Sequence, residues 1–219
     1  MENRKHTSLK DLAQALGVSI PTVSRALKDS PEISRELCAK AKALAKEMNY
    51  RPNPFAMSLR KNAPRIIGVV VPDIVTHFFA SILNGIENMA IANGYFVIIT
   101  TSHESYEHEK RNIENLVNMR VEGIIACLSQ ETTDFSHISA LKDINMPLIL
   151  FDRVCLTDQF SSVIADGAQS AQMATQHLLD NGSKRVAFIG GANHLDIVKR
   201  RKHGYLEALR ENRIPIEKE

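Results

Sequence analysis

A short segment near the amino terminus combines side chains that could recognise a nucleic acid. Thr22, Ser24 and Arg25 are predicted to face outward from a short helix. Val23 and Leu27 lie four residues apart and are predicted to point inward. The guanidinium of Arg25 can donate two parallel hydrogen bonds to O6 and N7 of one guanine. Contacts of this kind to base edges are how proteins read a DNA sequence in the major groove.

The elements around this helix have the spacing of a helix-turn-helix. A first helix is predicted over 9–16 with Ser8 as its N-cap, and Gly17 supplies the positive φ that turns the chain. Ser19 caps the next helix, and a third helix follows Ser34. This arrangement favours a three-helix unit that places its second helix in the major groove. The alternative is an ordinary three-helix bundle whose polar face is only solvated.

Residues 53–60 form a second candidate DNA-contacting segment. Asn53 is a predicted N-cap and Pro54 suits the first helical turn, which predicts a helix of about seven residues. An isolated helix needs about 12–15 residues to be stable in water, so this one is expected to order only when something packs against it. The segment is basic with an apolar tip, which suits the DNA minor groove.

The charge of the chain is divided unevenly between its two ends. Residues 1–62 carry 12 Lys and Arg against 6 Asp and Glu, whereas residues 63–219 carry 15 against 19. The whole-chain net charge of +2 therefore hides a basic amino-terminal part. A basic head on an acidic body suits a polyanionic partner at one end only.

On these motifs the sequence resembles the LacI/GalR family of bacterial repressors. The matching stretches are Leu-Lys-Asp-Leu-Ala-Gln-Ala-Leu-Gly-Val-Ser (9–19), Thr-Val-Ser-Arg-Ala-Leu (22–27), Asn-Tyr-Arg-Pro-Asn-Pro-Phe-Ala-Met-Ser-Leu (49–59), Ile-Ile-Gly-Val-Val-Val-Pro (66–72) and Val-Glu-Gly-Ile-Ile (121–125). The resemblance implies a non-enzymatic, sequence-specific transcriptional repressor that uses neither a cofactor nor a metal. Its implied partners are a pseudo-palindromic operator in double-stranded DNA, a second copy of the chain in a homodimer, and a small-molecule effector.

By this resemblance, seven residues of the helix-turn-helix match positions that contact DNA in the family. Ile20, Pro21 and Arg25 lie where family members touch base edges, and Ser8, Ser19, Thr22 and Ser24 lie at phosphate-contact positions. Ile20 and Pro21 cannot form hydrogen bonds through their side chains. They are therefore expected to read a base by its shape or through a thymine methyl group.

The resemblance also gives a role to the short helix at 53–60. In the family, two such hinge helices pair across a dimer and insert a leucine between base pairs, and the matching residue here is Leu59. Asn53, Ala56 and Arg60 accompany it as minor-groove hinge residues. Inserting an apolar side chain costs a few kcal/mol, which the contacts of a bent duplex offset. The alternative for Leu59 is a linker leucine buried against the following domain.

From residue 64 onward the pattern is that of a parallel α/β sheet. Val- and Ile-rich runs without alternation, typical of strands buried on both faces, alternate with amphipathic helical stretches. The predicted strands are 66–71, 95–100, 123–128 and 148–151, and the predicted helices are 78–92, 108–119 and 138–142. A second series then follows, with strands at 163–166 and 185–189 and helices at 168–179 and 201–211. The turn around 156–161 is interpreted as a crossover between two lobes.

The predicted organisation is an all-α helix-turn-helix head joined to an α/β body with parallel sheets, like that of periplasmic binding proteins. The expected domains are the head at 1–52, the hinge helix and linker at 53–63, a first effector-binding lobe at 64–155 and a partial second lobe at 156–219. Members of the family continue well beyond the position that matches Glu219. We therefore expect an incomplete second lobe, as in a fragment or a truncated reading frame. Such a lobe would leave an unpaired apolar sheet edge, which is a poor stable state.

Two-lobed parallel sheets bind small molecules at the carboxyl ends of their strands. The candidates at those ends are His77, Phe78, Phe79, Asp152, Arg153, Asp166 and Arg201. By the resemblance, Phe78 and Phe79 match aromatic positions that stack on the effector, and Arg201 matches an arginine that precedes a Gly-Tyr pair. The alternative for Phe79 is helix-to-sheet packing, because it falls on an apolar helical stripe. The implied effector is a sugar or a similar polar metabolite.

Two other classes of function fit parts of the pattern. A free sugar-binding protein of the periplasmic type is disfavoured by the DNA-binding head and by a charged amino terminus without the apolar core of a signal peptide. An α/β enzyme that uses Asp152 or Asp166 is disfavoured because no nucleophile, metal cluster or phosphate loop accompanies them. No apolar run reaches 18 residues, which disfavours a membrane partner. The odd, widely spaced Cys38, Cys127 and Cys155 favour reduced thiols and a cytoplasmic location.

Overall fold

The computed structural model of the chain describes residues 7–50 and 65–216. The chain divides into two compact units, Met1–Asn62 and Ala63–Glu219, which are called the head and the body below. The hinge predictions for Asn53, Ala56, Leu59 and Arg60 lie outside the described residues. The boundaries predicted at 52 and 63 remain predictions.

In residues 7–50, the described part of the head, the chain forms three helices: α1 (Leu9–Leu16), α2 (Ile20–Ala26) and α3 (Arg35–Glu47). Serine caps begin all three helices as predicted, and Gly17 ends α1 with a φ of +65°. Small side chains let the helices cross closely, because Ala13 packs with Leu12 and Val23 in one cluster while Ala26, Cys38 and Ala41 form another. The helix-turn-helix geometry expected from the sequence is confirmed in these residues.

The body contains one five-stranded parallel sheet within the described residues, in the order β2-β1-β3-β4-β5. The strands are β1 (Ile66–Val71), β2 (Phe96–Thr101), β3 (Gly123–Ala126), β4 (Leu148–Phe151) and β5 (Ser161–Val163). The helices are α4 (His77–Ala92), α5 (Tyr106–Asn118), α6 (Ser136–Asp143), α7 (Gly167–Asp180) and α8 (Asp196–Glu211). The alternation of strand and helix brings the carboxyl ends of the strands to a common edge of the sheet.

The sheet is covered on both faces, as the continuous apolar runs predicted. One face packs against α5 and α6 through a cluster that includes Ile113, Leu116 and Ile138. The other face packs against α4 through Phe79 and Leu83. Burial on both faces explains why β1 carries a run of Ile and Val without polar alternation.

Two predictions for the second half of the body are wrong. The chain does not leave the first sheet around 156–161, because β5 pairs in parallel with β4 through Ile149 and Ser161. The strand predicted at 185–189 is not formed, and Ile189 in that run is 97% exposed. A strand needs a neighbour for its backbone hydrogen bonds, and no described strand lies beside this run.

Helices α7 and α8 pack closely together and place Arg201 near the sheet edge. A Cβ atom at Gly204 would lie 1.9 Å from the carbonyl oxygen of Ala168, so only glycine allows this crossing. Tyr205 donates a hydrogen bond to the carbonyl oxygen of Val186 at 2.8 Å.

Within the described residues, no helix is both long enough and apolar enough to cross a membrane.

Candidate nucleic-acid interface and effector cleft

The exposed tip of α2 carries two of the three predicted base-reading residues. Ser19 caps the helix by accepting a hydrogen bond from the Thr22 amide at 3.3 Å, and its hydroxyl lies 2.8 Å from the Thr22 hydroxyl. Ile20 and Pro21 follow the cap with exposed side chains. A cap that fixes the first turn therefore leaves an apolar surface at the tip, suited to contact with a thymine methyl group.

Arg25, the third predicted base-reading residue, lies in the last turn of α2 and forms an ion pair. Its Nη1 lies 2.7 Å from Oε2 of Glu32, with 51% and 66% of the two side chains exposed. Glu32 belongs to the loop between α2 and α3, seven residues after Arg25. This partner was not predicted, although a carboxylate in the turn after a helix with arginine in its last turn is a recognisable signal.

Ser24 is buried, with 8% of its surface exposed, so the prediction that it faces outward is wrong. Its position three residues before Leu27 places it on the same side of α2 as this inward side chain. The other predicted phosphate contacts are better placed, because Ser8 and Ser19 are exposed. Ser8 forms a capping box with Asp11, donating from its hydroxyl to Asp11 Oδ2 at 2.7 Å.

At the carboxyl ends of the strands, Arg153 binds Glu104 in a two-pronged ion pair. Its Nη1 lies 2.6 Å from Glu104 Oε2 and its Nη2 lies 3.0 Å from Oε1. Glu104 Oε2 also accepts a hydrogen bond from the Gln130 amide at 2.6 Å, and Arg153 donates to the carbonyl oxygen of Leu128 at 3.2 Å. Glu104 was not among the residues singled out in the sequence.

Asp152 and Arg201 lie close enough to influence each other electrostatically. Burial raises the pKa of Asp152, while the charges of Arg153 and Arg201 act in the opposite direction. The backbone of Asp152 has a positive φ of 58°, and its amide donates to the carbonyl oxygen of Val163 at 3.1 Å. The structure thus brings Asp152, Arg153 and Arg201 to one edge of the sheet, as expected.

The remaining effector candidates divide into exposed and structural side chains. Phe78 is exposed, whereas Phe79 is buried against the sheet and meets Phe151 edge to face at 6.4 Å. This placement supports the packing alternative for Phe79. Asp166 is exposed and is also the N-cap of α7, because it accepts the Gln169 amide at 2.9 Å. His77 is exposed at the start of α4.

A buried polar network, which was not predicted from the sequence, lies beneath these strand ends. The side chain of Glu109 is fully buried and accepts hydrogen bonds from the Ser129 amide, the Thr132 hydroxyl at 2.9 Å and His137 Nε2 at 2.9 Å. Ser129 donates to the Ser102 hydroxyl at 2.7 Å. Glu109, Ile113 and Leu116 share one helical stripe, so its inward position was readable from the spacing.

A cavity of about 390 Å³ opens at the same edge of the sheet. It is lined by Glu104, Gln130, Glu131, Ala192 and His194. His194 Nε2 lies 2.7 Å from the carbonyl oxygen of Gln130, so the loop before α8 closes over the loop after β3. Among the described residues, no group of three or more His, Cys, Asp and Glu side chains could hold a metal ion.

These features define a class of protein: a helix-turn-helix head joined to a parallel α/β domain with polar groups at its strand ends. Residues 8–53 match the family model described as bacterial regulatory proteins, lacI family. Residues 65–219 match the model described as periplasmic binding proteins and sugar binding domain of LacI family. The chain belongs to the LacI family of bacterial regulatory proteins, which confirms the predicted fold class.

Three relatives illustrate the similarity. Catabolite control protein A of Priestia megaterium is 32% identical over 216 residues, which cover 96% of this chain and 63% of that protein. A crystal structure of the lac repressor dimer bound to operator and the anti-inducer ONPF aligns with a TM-score of 0.76 and 26% identity, over 96% of this chain and 64% of that chain. The Cra regulator of Pseudomonas putida in complex with fructose 1-phosphate aligns with a TM-score of 0.63 and 27% identity, over 67% of this chain and 54% of that chain. This chain therefore spans less than two thirds of the length of these relatives.

Proposed function

We propose that this protein is a non-enzymatic, sequence-specific transcriptional repressor that binds a pseudo-palindromic operator in double-stranded DNA as a homodimer. The observation that carries the proposal is the exposed surface formed by Ile20, Pro21 and Arg25 on a capped helix directly after the Gly17 turn. This helix belongs to the basic part of the chain, where Lys and Arg outnumber Asp and Glu by 12 to 6. Ile20 and Pro21 contact a base by shape, and Arg25 donates to a guanine.

Phosphate contacts hold the head in register on the duplex without reading its sequence. Ser8, Ser19 and Thr22 are the proposed contacts, and Ser24 is omitted because its side chain is buried. From the sequence, the hinge residues Asn53, Ala56, Leu59 and Arg60 are proposed to act in the minor groove. The lac repressor structure named above is that of a dimer bound to operator, which supports the proposed operator binding as a dimer.

The free edge of the sheet supports the homodimer. β2 is an edge strand of the described sheet, and its Phe96 and Ile99 are exposed. Met89 and Ile91, near the end of α4, are exposed apolar side chains as well. An apolar strand edge of this kind is a site of pairing or aggregation unless a partner covers it. A second copy of the chain would bury it.

The body responds to a small polar effector, for which a sugar is the favoured class. Asp152, Arg153, Asp166 and Arg201 supply carboxylate and guanidinium groups that can bind hydroxyl groups, and the exposed ring of Phe78 can cover an apolar sugar face. The Cra relative has been crystallised with fructose 1-phosphate. Acid/base catalysis is not proposed, because Asp166 caps a helix and relatives are regulators.

A cytoplasmic location is part of the proposal, because DNA is the proposed partner. The described cysteines fit a reducing compartment. Cys38, Cys127 and Cys155 are all free and buried.

The test is a DNA-binding titration of the full chain over a range of salt concentrations. Duplexes selected from a randomised pool serve as specific DNA, and an unselected duplex serves as random DNA. Log affinity is expected to fall linearly with log salt, by about 0.9 per phosphate contact. Affinity that does not change with salt, or equal affinity for selected and random duplexes, would contradict the proposal. Addition of a panel of sugars, with release from DNA or a change in Tm as readout, tests the effector part separately.

A further inference from the structure

The ion pair between Arg25 and Glu32 carries an inference beyond the proposed contacts. We infer that Glu32 is a positioning residue that determines specificity: it directs the Arg25 guanidinium to a guanine edge and disfavours its binding to phosphate. The inference rests on the proposed function, because it requires Arg25 to read a base.

The loop backbone places Glu32 beside the last turn of α2. The Ser30 amide donates to the carbonyl oxygen of Arg25 at 3.1 Å, and the Ile33 amide donates to the carbonyl oxygen of Ser30 at 3.0 Å. Ile33 packs against the head cluster that contains Ala26 and Cys38. Glu32 thus sits between two anchored residues. It holds the guanidinium from one side, which restricts the rotamers of a long, exposed side chain.

The contact leaves the chemistry of guanine recognition available. Glu32 accepts from Nη1 of Arg25 at 2.7 Å. The edge formed by Nε and Nη2 of a guanidinium still presents two parallel donors, which match O6 and N7 of guanine. A carboxylate behind the guanidinium therefore orients it and need not be displaced when Arg25 reads the base.

The same carboxylate acts against binding to the DNA backbone. Guanine O6 and N7 are neutral acceptors, whereas a phosphate is an anion that repels the nearby Glu32 carboxylate. The pair of Arg25 and Glu32 has no net charge, so it gains little from the phosphates that attract an unpaired arginine. Specificity is a difference of affinities, and Glu32 increases this difference by weakening the competing contact.

The experiment compares Glu32→Gln with a matched control, Asp29→Asn. Both substitutions remove one negative charge from the same loop, but Asp29 pairs with Lys42 and not with Arg25. The full chain and each variant first select duplexes from a randomised pool. Their affinities for the duplex that the wild type selects and for a random duplex are then measured at several salt concentrations.

For Glu32→Gln, the ratio of specific to random affinity is expected to fall about threefold to tenfold, a fraction of the discrimination that one bidentate base contact supplies. Log affinity for random DNA is expected to fall more steeply with log salt, by about 0.9 for each head, because Arg25 becomes free to bind a phosphate. Asp29→Asn is expected to keep the guanine preference at the position that Arg25 reads. In an Arg25→Ala background, Glu32→Gln is expected to have no further effect on that preference.

Two outcomes separate this inference from the proposed function. Should Arg25→Ala relax one base position per half-site while Glu32→Gln leaves the ratio and the salt dependence unchanged, the positioning role is wrong and base reading by Arg25 stands. Should Arg25→Ala leave every base preference intact, base reading fails and the inference fails with it. The Glu32 side chain is two-thirds exposed, so folding should be kept, and Glu32→Ala provides a second variant with the same expected effects.

Discussion

Arg153 and Glu104 lie 49 residues apart in sequence and meet through two hydrogen bonds, Nη1 to Oε2 at 2.6 Å and Nη2 to Oε1 at 3.0 Å. Glu104 follows β2 and Arg153 follows β4. Arg153 also donates to the carbonyl oxygen of Leu128, which follows β3. One guanidinium therefore joins the ends of three strands, and it does so beside the cavity that Glu104 lines.

This geometry makes arginine and lysine unequal at position 153. Arg153→Lys keeps the charge but loses the planar pair of donors, so the free energy of unfolding is expected to fall by about 1–2 kcal/mol. Urea denaturation of the full chain measures the change. Arg111→Lys, at an exposed position on α5, is the control and is expected to leave the stability unchanged. Equal stabilities of Arg153→Lys and wild type would show that the second hydrogen bond contributes nothing.

The buried Glu109 network gives a second prediction. Glu109→Ala removes a buried carboxylate that accepts three hydrogen bonds. The Ser129 amide, the Thr132 hydroxyl and His137 Nε2 then lose their acceptor. A buried donor left without its acceptor costs about 1–3 kcal/mol, and a fall of at least that size in the free energy of unfolding is expected. Glu114→Ala, on the exposed side of the same helix, is expected to change it by less than about 0.5 kcal/mol. A similar small effect for both variants would mean that the network does not stabilise the body.

Local signals in the sequence predicted the elements well, and tertiary relationships account for what was missed. Caps, the Gly17 turn and continuous apolar runs each act within a few residues, so α1 and β1 agree with their predicted bounds. The strand predicted at 163–166 lies instead at Ser161–Val163 and pairs with β4, because a short, exposed edge strand carries few local signals for its bounds or its partner. Residues 185–189 have strand composition but no described neighbour, and composition cannot supply a partner.

In the candidate sites, too, local features were predicted from the sequence and most tertiary partners were not. The residue types at the tip of α2 and at the strand ends were readable, because their chemistry and spacing are local. The partner of Arg153 was not readable, because Glu104 reaches it across the sheet. Glu32 lies only seven residues after Arg25 and left a local signal in the turn after α2. Ser24 was misplaced because α2 buries more of its circumference than a helix that packs on one side only.

Asp152 combines an unfavourable charge with an unfavourable backbone, which gives a third prediction. Burial raises its pKa above the ordinary value of 3.8. The folded state therefore favours the protonated form, and this contribution to stability is lost as pH rises through the raised pKa. Asp152→Asn stays neutral and tolerates the positive φ of 58°, so its Tm at pH 7 is expected to exceed that of the wild type by about 1–3 °C.

The advantage of Asp152→Asn is expected to shrink as the pH is lowered, because the raised pKa of the wild-type carboxyl favours its protonation. Thermal unfolding between pH 4 and 7.5 measures this trend. Asp158→Asn, at an exposed position nearby, is the control and should show no such trend. A lower Tm for Asp152→Asn at pH 7 would mean that the attraction of Arg153 and Arg201 exceeds the cost of burial.

The two buried thiols of the body give a fourth prediction. Burial raises the pKa of Cys127 to about 12, and burial together with the charge of Glu109 raises the pKa of Cys155 to about 12. Both folded pKa values exceed the ordinary value of 9.0, so their stabilising contribution is present below pH 9 and is lost between pH 9 and 12. Only the thiolate reacts with iodoacetamide, so alkylation of the folded chain should stay slow between pH 8 and 10.

In urea, alkylation of the same two cysteines should accelerate sharply with an inflection near the ordinary thiol pKa. Peptide mass spectrometry after timed quenching follows each cysteine separately. A rate in the folded chain that rises with pH as steeply as in urea would show that the thiols are accessible and not buried.

The last prediction concerns the proposed base contact of Arg25. Arg25→Ala is expected to cost about 1–3 kcal/mol in affinity for the selected duplex and to relax base preference at one position per half-site. Thr22→Val removes a proposed phosphate contact with little change in shape, and it is expected to weaken binding to selected and random duplexes by the same factor. Repeating the selection from the randomised pool with each variant gives the base preference directly. If Arg25→Ala lowers specific and random affinity equally, Arg25 is a phosphate contact like Thr22, and the exposed tip of α2 must read the operator through Ile20 and Pro21.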